Sequence, residues 1–230
     1  MYFSIDSNAA SAGITHALFL TVSGIIVSPS REEFKSKCLK TVSGPVPSNT
    51  ENFNNGMREV IQLTTGKSEF KTAGEKLRKN FSERGFRTIN NIIDSYNEAA
   101  YFYGLGIGGH DITNANKNGN LNVTLSSGDE SIIPLFESKN KKIKCGELIY
   151  KLDNKTVAWI GSKDVDSDEF RIGDDTSKCL FVILGHSSVT ATELYAVSAR
   201  IRRNLIESSY DLNSREFETQ EFYFNAGSAE

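Results

Sequence analysis

The chain has 230 residues, 38% of them hydrophobic, enough for one large domain or two small ones around a real apolar core. With 24% charged residues, 18 Gly and 4 Pro, disordered, collagen-like and low-complexity classes are excluded. Lys and Arg total 26 against 29 Asp and Glu, a net charge of −3, so any nucleic-acid contact needs a local basic face. The first Lys or Arg is Arg31, so the start reads without the basic n-region of a signal peptide. The apolar stretch from Ala17 to Val27 is interrupted by Thr21, Ser23 and Gly24 and falls short of the roughly 20 residues of a membrane span. Cys38, Cys145 and Cys179 are far apart and form no Cys-x-x-Cys pair, which points to a reducing cytoplasm.

From Phe3 to Val27 the chain reads as extended, with His16 to Val22 the clearest buried strand, stopped by Pro29. Ser30-Arg31-Glu32-Glu33 has capping-box spacing, and Phe34 and Cys38 at i, i+4 predict a short helix to about Lys40. Thr41 to Asn55, with two prolines and several Asn and Ser, reads as a loop. Phe70, Ala73, Leu77 and Phe81 predict a helix from about Ser68 to Arg84, stopped by Gly85. The stripe Ile89, Ile92, Ile93, Tyr96, Ala100, Tyr103 predicts a second helix, ended by Gly104, with Asp94 and Asn97 near its edge. Strands are expected at Leu121–Leu125, Leu148–Tyr150, Val157–Ile160 and Cys179–Leu184. Thr190-x-x-Glu193 opens a last helix with the stripe Leu194, Val197, Ile201, Leu205. The tail after Tyr210 either adds an edge strand through Glu216–Phe224 or stays loose; periodicity does not decide.

These elements describe one α+β domain with mixed sheets packed on three or four helices. Residues 1–66 would supply N-terminal strands, a short helix and a loop, residues 67–210 the core with the pocket, and 211–230 a tail. Gly104-x-Gly106-x-Gly108-Gly109 follows a helix and precedes strands. It is therefore a glycine-rich turn and not a dinucleotide fingerprint, which joins a strand to a helix N-terminus. Asp164-x-Asp166-x-Asp168 opens like a calcium loop, but Glu169 stands where the turn Gly belongs, so an exposed acidic loop is expected. His16, His110 and His186 show no metal-ligand spacing, and no metal or cofactor is expected. No nucleophile elbow or P-loop occurs either.

The stretch Asn90-x-x-x-Asp94-x-x-Asn97, followed by Gly106-Ile107-Gly108-Gly109-His110-Asp111, resembles the B3/B4 domain. That family is known as the editing module in the β subunit of bacterial phenylalanyl-tRNA synthetase and as free-standing proteins of about this length. Its free-standing form carries an Asn-x-x-x-Asp-x-x-Asn helix and a Gly-Gly-aromatic-Asp turn, with His110 here in the aromatic slot. The likeness continues through Gly128-Asp129-Glu130, Gly146 to Tyr150, and Asp168 to Ile172 with Thr176.

The resemblance implies a pocket for an amino acid esterified to the terminal adenosine of tRNA, and hydrolysis of a mischarged ester. The helix Asn that binds substrate in the synthetase form is Asn97 here. Where that form has a His before the turn, this chain has Gly108, and where it has a Glu that reads a polar substrate group, this chain has Val182. The second departure implies a substrate other than one selected by its side-chain hydroxyl. An aminoacyl ester is reactive, so positioned water and backbone donors from Gly106, Gly108 and Gly109 are the chemistry to expect.

Each residue also has a bland reading. Asn97 binds an amine or carbonyl, or pins the next turn; Asp111 caps that turn or touches substrate; His110 is a base or a packed ring. Trp159 is a core anchor or a stacking surface. The basic runs Lys76, Arg78, Lys79, then Lys139, Lys141, Lys142, Lys144, and Arg200, Arg202, Arg203 either bind tRNA phosphates or are solvated faces. Two further functions stay open: transfer of the aminoacyl group to an amine, and tRNA binding without catalysis.

Overall fold

The computed structural model describes residues 1–47, 49–209 and 217–228. In chain order the strands are β1 (Tyr2–Ile5), β2 (His16–Ser23), β3 (Gly108–Asp111), β4 (Asn120–Leu125), β5 (Ser131–Ile132), β6 (Lys141–Lys142), β7 (Leu148–Leu152), β8 (Lys155–Ile160), β9 (Val165–Asp166), β10 (Lys178–Gly185) and β11 (Glu218–Asn225). The helices are α1 (Ser7–Ser11), α2 (Glu32–Ser43), α3 (Thr50–Thr65), α4 (Ala73–Arg84), α5 (Asn91–Tyr103) and α6 (Ala191–Ser208). One sheet runs β1-β4-β7-β8-β9, parallel only at β1–β4; the other runs β11-β2-β10-β3, antiparallel throughout; β5 and β6 form a separate ribbon.

Strand alternation turns these sheets into three layers. From β10, Leu180, Val182 and Leu184 point with Ala17 and Phe19 of β2 toward the first sheet, meeting Val123, Leu148 and Tyr150. Cys179, Phe181 and Ile183 point the other way with Leu18, Leu20 and Val22, onto Ile92 and Ala99 of α5 and Leu194, Val197 and Ile201 of α6. Both faces of β2 and β10 are covered, so these strands read as continuous apolar runs without alternation.

The helical layer is tied by a buried ion pair. Glu98 is fully buried and accepts from Arg200 Nη2 at 2.6 Å, Arg200 Nε at 2.8 Å, Asn204 Nδ2 at 2.7 Å and Thr41 Oγ1 at 2.7 Å. Burial opposes its ionisation, yet the hydrogen bonds from Arg200 and Thr41 outweigh it and hold the carboxyl below its ordinary value.

Several expectations need correction. The segment read as a loop to Asn55 contains the start of α3, and the connection is only residues 44–49. Asn52, Asn54, Asn55 and Gly56 are poor helix formers, but buried Phe53, Val60 and Ile61 supply packing that propensity does not register. Helix α2 begins without a side-chain cap, because Ser30 donates instead to Asp94 at 2.6 Å. Helix α4 starts at Ala73, not Ser68, where Thr72 and Glu75 form the capping box. The extended N-terminal stretch is broken by α1, which Asp6 caps. In the tail, β11 pairs with β2 as an edge strand; Glu216, where that strand was expected to start, lies outside the described residues. Helix α6 follows its sequence signal, capping box included.

Candidate active site

The turn Gly104–Gly109 links α5 to β3 and lies between α4 and the two sheets. Gly104 takes the left-handed conformation (φ 73°) that closes α5. A Cβ at Gly106 would sit 2.7 Å from Ala73 Cβ, and one at Gly109 would sit 2.6 Å from the Tyr96 ring. A Cβ at Gly108 would sit 2.6 Å from His110 Nε2 and 3.2 Å from the Tyr150 ring. These glycines let helix, turn and strand come into direct contact, and they leave the backbone uncovered.

Beside the turn lies a cavity of about 110 Å³, where a single water needs roughly 10–15 Å³, so it takes a group of side-chain size or larger. Its walls are mostly apolar: Phe53, Met57, Leu105, Ile107, Ile160 and Leu184, closed by the Gly106–Gly108 backbone and Tyr150. Its polar members are Asn54, Thr72, His186, Asp164 and Asp166. Three of these are engaged in holding the wall. Thr72 donates to Asn54, and Asn54 to the Thr50 carbonyl. His186 Nδ1 accepts from the Ser188 N–H at 3.3 Å, so its Nε2–H donates to the Phe53 carbonyl at 3.1 Å, and burial lowers its pKa. Gly56 of α3 leaves the space that this imidazole occupies.

The two aspartates are the unexpected part. Asp164 is only 10% exposed and pairs with Lys76 Nζ at 2.6 Å; burial raises its pKa against the pull of that lysine. Asp166 has no hydrogen-bond or ion-pair partner for its carboxylate among the described residues. Burial, and then the charge of Asp164, push it up to about 7. The acidic stretch is therefore no exposed loop: β9 pairs with β8, Lys76 of α4 holds Asp164, and Tyr150 shares the cavity with Asp166, so the first two members are largely withdrawn from solvent. The third, Asp168, accepts from the Phe136 N–H and pairs with Arg171. Among the described residues, no group of His, Cys, Asp and Glu is arranged to hold a metal ion.

Strand alternation splits the predicted site. Gly108 faces the cavity, whereas Gly109 faces α5 and lines a second groove of about 690 Å³ with Tyr96, Asn97, Phe136 and Arg171. Asp166 borders both spaces. In the Asn-x-x-x-Asp-x-x-Asn helix, Asn90 caps α5 by accepting from Ile92 and Ile93. Asp94 is buried, accepting from Ser30 and the Ile89 N–H. Asn97 faces open space in the groove, which the edge of Asn90 also lines, and both lie away from the cavity.

His110 points between the sheets, fully buried, edge-on to Tyr150, and both ring nitrogens lack a partner among the described residues; burial drives its pKa down to about 3. It is thus a neutral packed ring behind Gly108. Asp111 accepts from the Thr113 N–H at 2.7 Å and from Thr176 Oγ1 at 2.7 Å, so both carboxylate oxygens are engaged within the fold. Val182 is fully buried in the inter-sheet core and lines neither space. Trp159 anchors a small cluster with Ile132, Ile143 and Ile149 and donates to Glu147.

The basic residues disperse. Lys76 is held by Asp164; Arg78 donates to Thr50 Oγ1 and the Phe102 carbonyl; Lys79 pairs with Glu83 and Lys141 with Glu137. Arg200 and Arg202 pair with Glu98 and Glu221. Lys142 and Lys144 stand exposed on and beside the β5–β6 ribbon.

A sequence model described as the B3/4 domain matches residues 58–204, more than half of the chain. The chain belongs to the B3/4 domain family. The match covers α4, α5, the glycine turn, both aspartates and most of α6. A similar solved structure is that of an N-terminal fragment of the phenylalanyl-tRNA synthetase beta-subunit from Pyrococcus horikoshii, 11% identical with a TM-score of 0.48. The alignment covers 96% of this chain and 53% of that one, so the chain spans about half the length of that fragment. No curated protein matches the chain. Among the described residues no helix is long and apolar enough to cross a membrane.

Proposed function

We propose that this B3/4 domain hydrolyses the ester of a mischarged aminoacyl-tRNA, with the amino acid seated in the cavity beside the glycine turn. The observation that carries the reading is Asp166, a carboxylate largely withdrawn from solvent and, among the described residues, without a partner, in an otherwise mostly apolar cavity. Such a group is costly to bury unless a cation arrives with the ligand. An esterified amino acid brings that cation as its α-ammonium, and an apolar side chain suits Phe53, Met57, Leu105 and Leu184.

Of the cavity hydroxyls, Thr72 is committed to capping α4 and burial holds the Tyr150 phenol in its protonated form, so the reading assigns the attack to water. Water adds to the ester carbonyl, the carbon–oxygen bond to the ribose breaks, and the ribose oxygen leaves with a proton as a hydroxyl. The Gly106–Gly108 backbone is the nearest source of donors for the developing oxyanion. His110 has no part in this scheme, being neutral and sealed behind Gly108.

The test is incubation of the protein with total tRNA charged with a mixture of labelled amino acids, followed by identification of what is released. Free apolar amino acids from the wild type, and at least tenfold slower release by Asp166→Asn, are expected. A labelled amide product would replace hydrolysis by transfer to an amine. Binding of charged tRNA without release of any product would refute the hydrolase reading.

A further inference from the structure

Phe136 is the most exposed large apolar side chain described, at 81%, and its backbone is left-handed (φ 61°). A bulky residue in that conformation is an outlier, and such strain persists only where the surroundings enforce it. Here they do. The Phe136 N–H donates to Asp168 Oδ1 at 2.9 Å, and the flanking Leu135 and Glu137 N–H groups donate to the carbonyls of Asp166 and Pro134, each at 3.0 Å. The Asp168 N–H in turn holds the Ile133 carbonyl at 2.9 Å. Four hydrogen bonds thus fix a strained loop whose ring stands in water, the reverse of what apolar burial favours.

The surroundings of the ring describe its occupant. Phe136 lines the 690 Å³ groove that also contains Asn90, Asn97 and Arg171, and the Arg171 guanidinium lies 5.2 Å from the ring centroid. Amide groups beside a flat ring suit the hydrogen-bonding edge of a planar heterocycle stacked on it. The chain leaving Phe136 carries Lys139, Lys142 and Lys144, all exposed and, among the described residues, outside any ion pair. An aromatic platform followed by unpaired cations is the arrangement that binds single-stranded nucleic acid. The groove also reaches Asp166, the residue it shares with the cavity.

We propose that Phe136 is a stacking platform for an unpaired nucleobase of RNA, with Lys139, Lys142 and Lys144 following the phosphates. The proposal rests on the aminoacyl-tRNA reading and adds where the nucleotides next to the ester lie. Because Asp166 borders both spaces, a nucleotide in the groove would present its ester toward the cavity.

The probe is a fluorescein-labelled single-stranded RNA hexanucleotide ending in CCA, titrated with the full chain by anisotropy. Phe136→Ala is expected to weaken binding about fivefold to a hundredfold, the loss of one base–aromatic stack, while Phe136→Trp retains it. Phe136→Gly, which suits the left-handed backbone, is expected to bind as poorly as Phe136→Ala with an undiminished melting temperature, separating stacking from folding. Lys142→Ala is expected to reduce the slope of log K against log salt by about 0.7.

Equal affinity of wild type and Phe136→Ala, or no binding of the probe by the wild type, would overturn the proposal. So would self-association that depends on Phe136, since the ring would then serve a second copy. Amino-acid release measured in parallel keeps the two readings apart. Release that is unaffected by Phe136→Ala, with unchanged KM, removes the platform and leaves the hydrolase. Phe136-dependent RNA binding without release supports the platform and refutes the hydrolase.

Discussion

Replacing Asp166 by Asn is expected to stabilise the protein at alkaline pH while impairing it as an enzyme. The carboxylate titrates at about 7 in the folded chain against an ordinary 3.8, a gap of roughly 3 units. At about 1.36 kcal/mol per unit, the ionised group costs the fold at most about 4 kcal/mol. Between pH 3.8 and 7 the folded state retains a proton that the unfolded chain has released. Stability contributed by this group therefore falls as pH rises through that window; the full cost applies above it and none applies below.

Asp94, His16 and His186 are also shifted by burial, so the readout is the difference between wild type and variant at each pH, in which their contributions largely cancel, while the repulsion between Asp164 and Asp166 is part of what it measures. Urea unfolding at pH 4 and pH 8 measures it. The variant is expected to gain up to about 4 kcal/mol on the wild type between those two conditions, whatever fixed offset the buried amide adds. A difference that does not change with pH, or that moves against the variant as pH rises, would refute the claim that Asp166 is unpaired and enclosed. The same carboxylate would cease to be a cost once an ammonium sits beside it, which is the stability–activity trade-off of a preformed site.

Three further outcomes are expected. His110→Phe removes two unpartnered buried nitrogens and should be neutral or stabilising by about 1 kcal/mol, with amino-acid release retained; a hundredfold fall in kcat at unchanged KM would make His110 a base after all. Arg200→Ala leaves Glu98 buried without its cation and should cost about 3–5 kcal/mol in urea unfolding near neutral pH. Because the Glu98 pKa is depressed in the fold, that cost should shrink as pH falls below the ordinary carboxylate range, and a cost that grows would contradict the pairing. Gly56→Ala places a methyl in the His186 ring and should destabilise by about 3 kcal/mol, read as a lowered melting temperature. Adding His186→Ala should recover part of that loss in a double-mutant cycle, and strictly additive losses would refute the clash.

The sequence by itself determined the elements whose pattern is written in adjacent residues. The stripes of α5 and α6, the apolar runs of β2 and β10, the Thr190–Glu193 capping box and the glycine turn were all legible, because each expresses a local period or a local hydrogen bond. The motif order that resembles the B3/B4 domain was legible for the same reason, although Asn90 and Asp94 within it cap and brace α5. Tertiary structure alone decided the rest. Helix α3 forms from a segment rich in Asn because Phe53, Val60 and Ile61 are buried by other parts of the chain, a gain that no local propensity contains. Asp164 and Asp166 look like solvated acids in sequence, and only the tertiary fold, which sets Lys76 on Asp164 and Tyr150 beside the cavity of Asp166, withdraws them from solvent and shifts their chemistry. Gly108 and Gly109, neighbours in the motif, face opposite sides of β3, one the cavity and the other the groove of Asn97, because which way a strand residue points acquires meaning only once two layers have covered its faces.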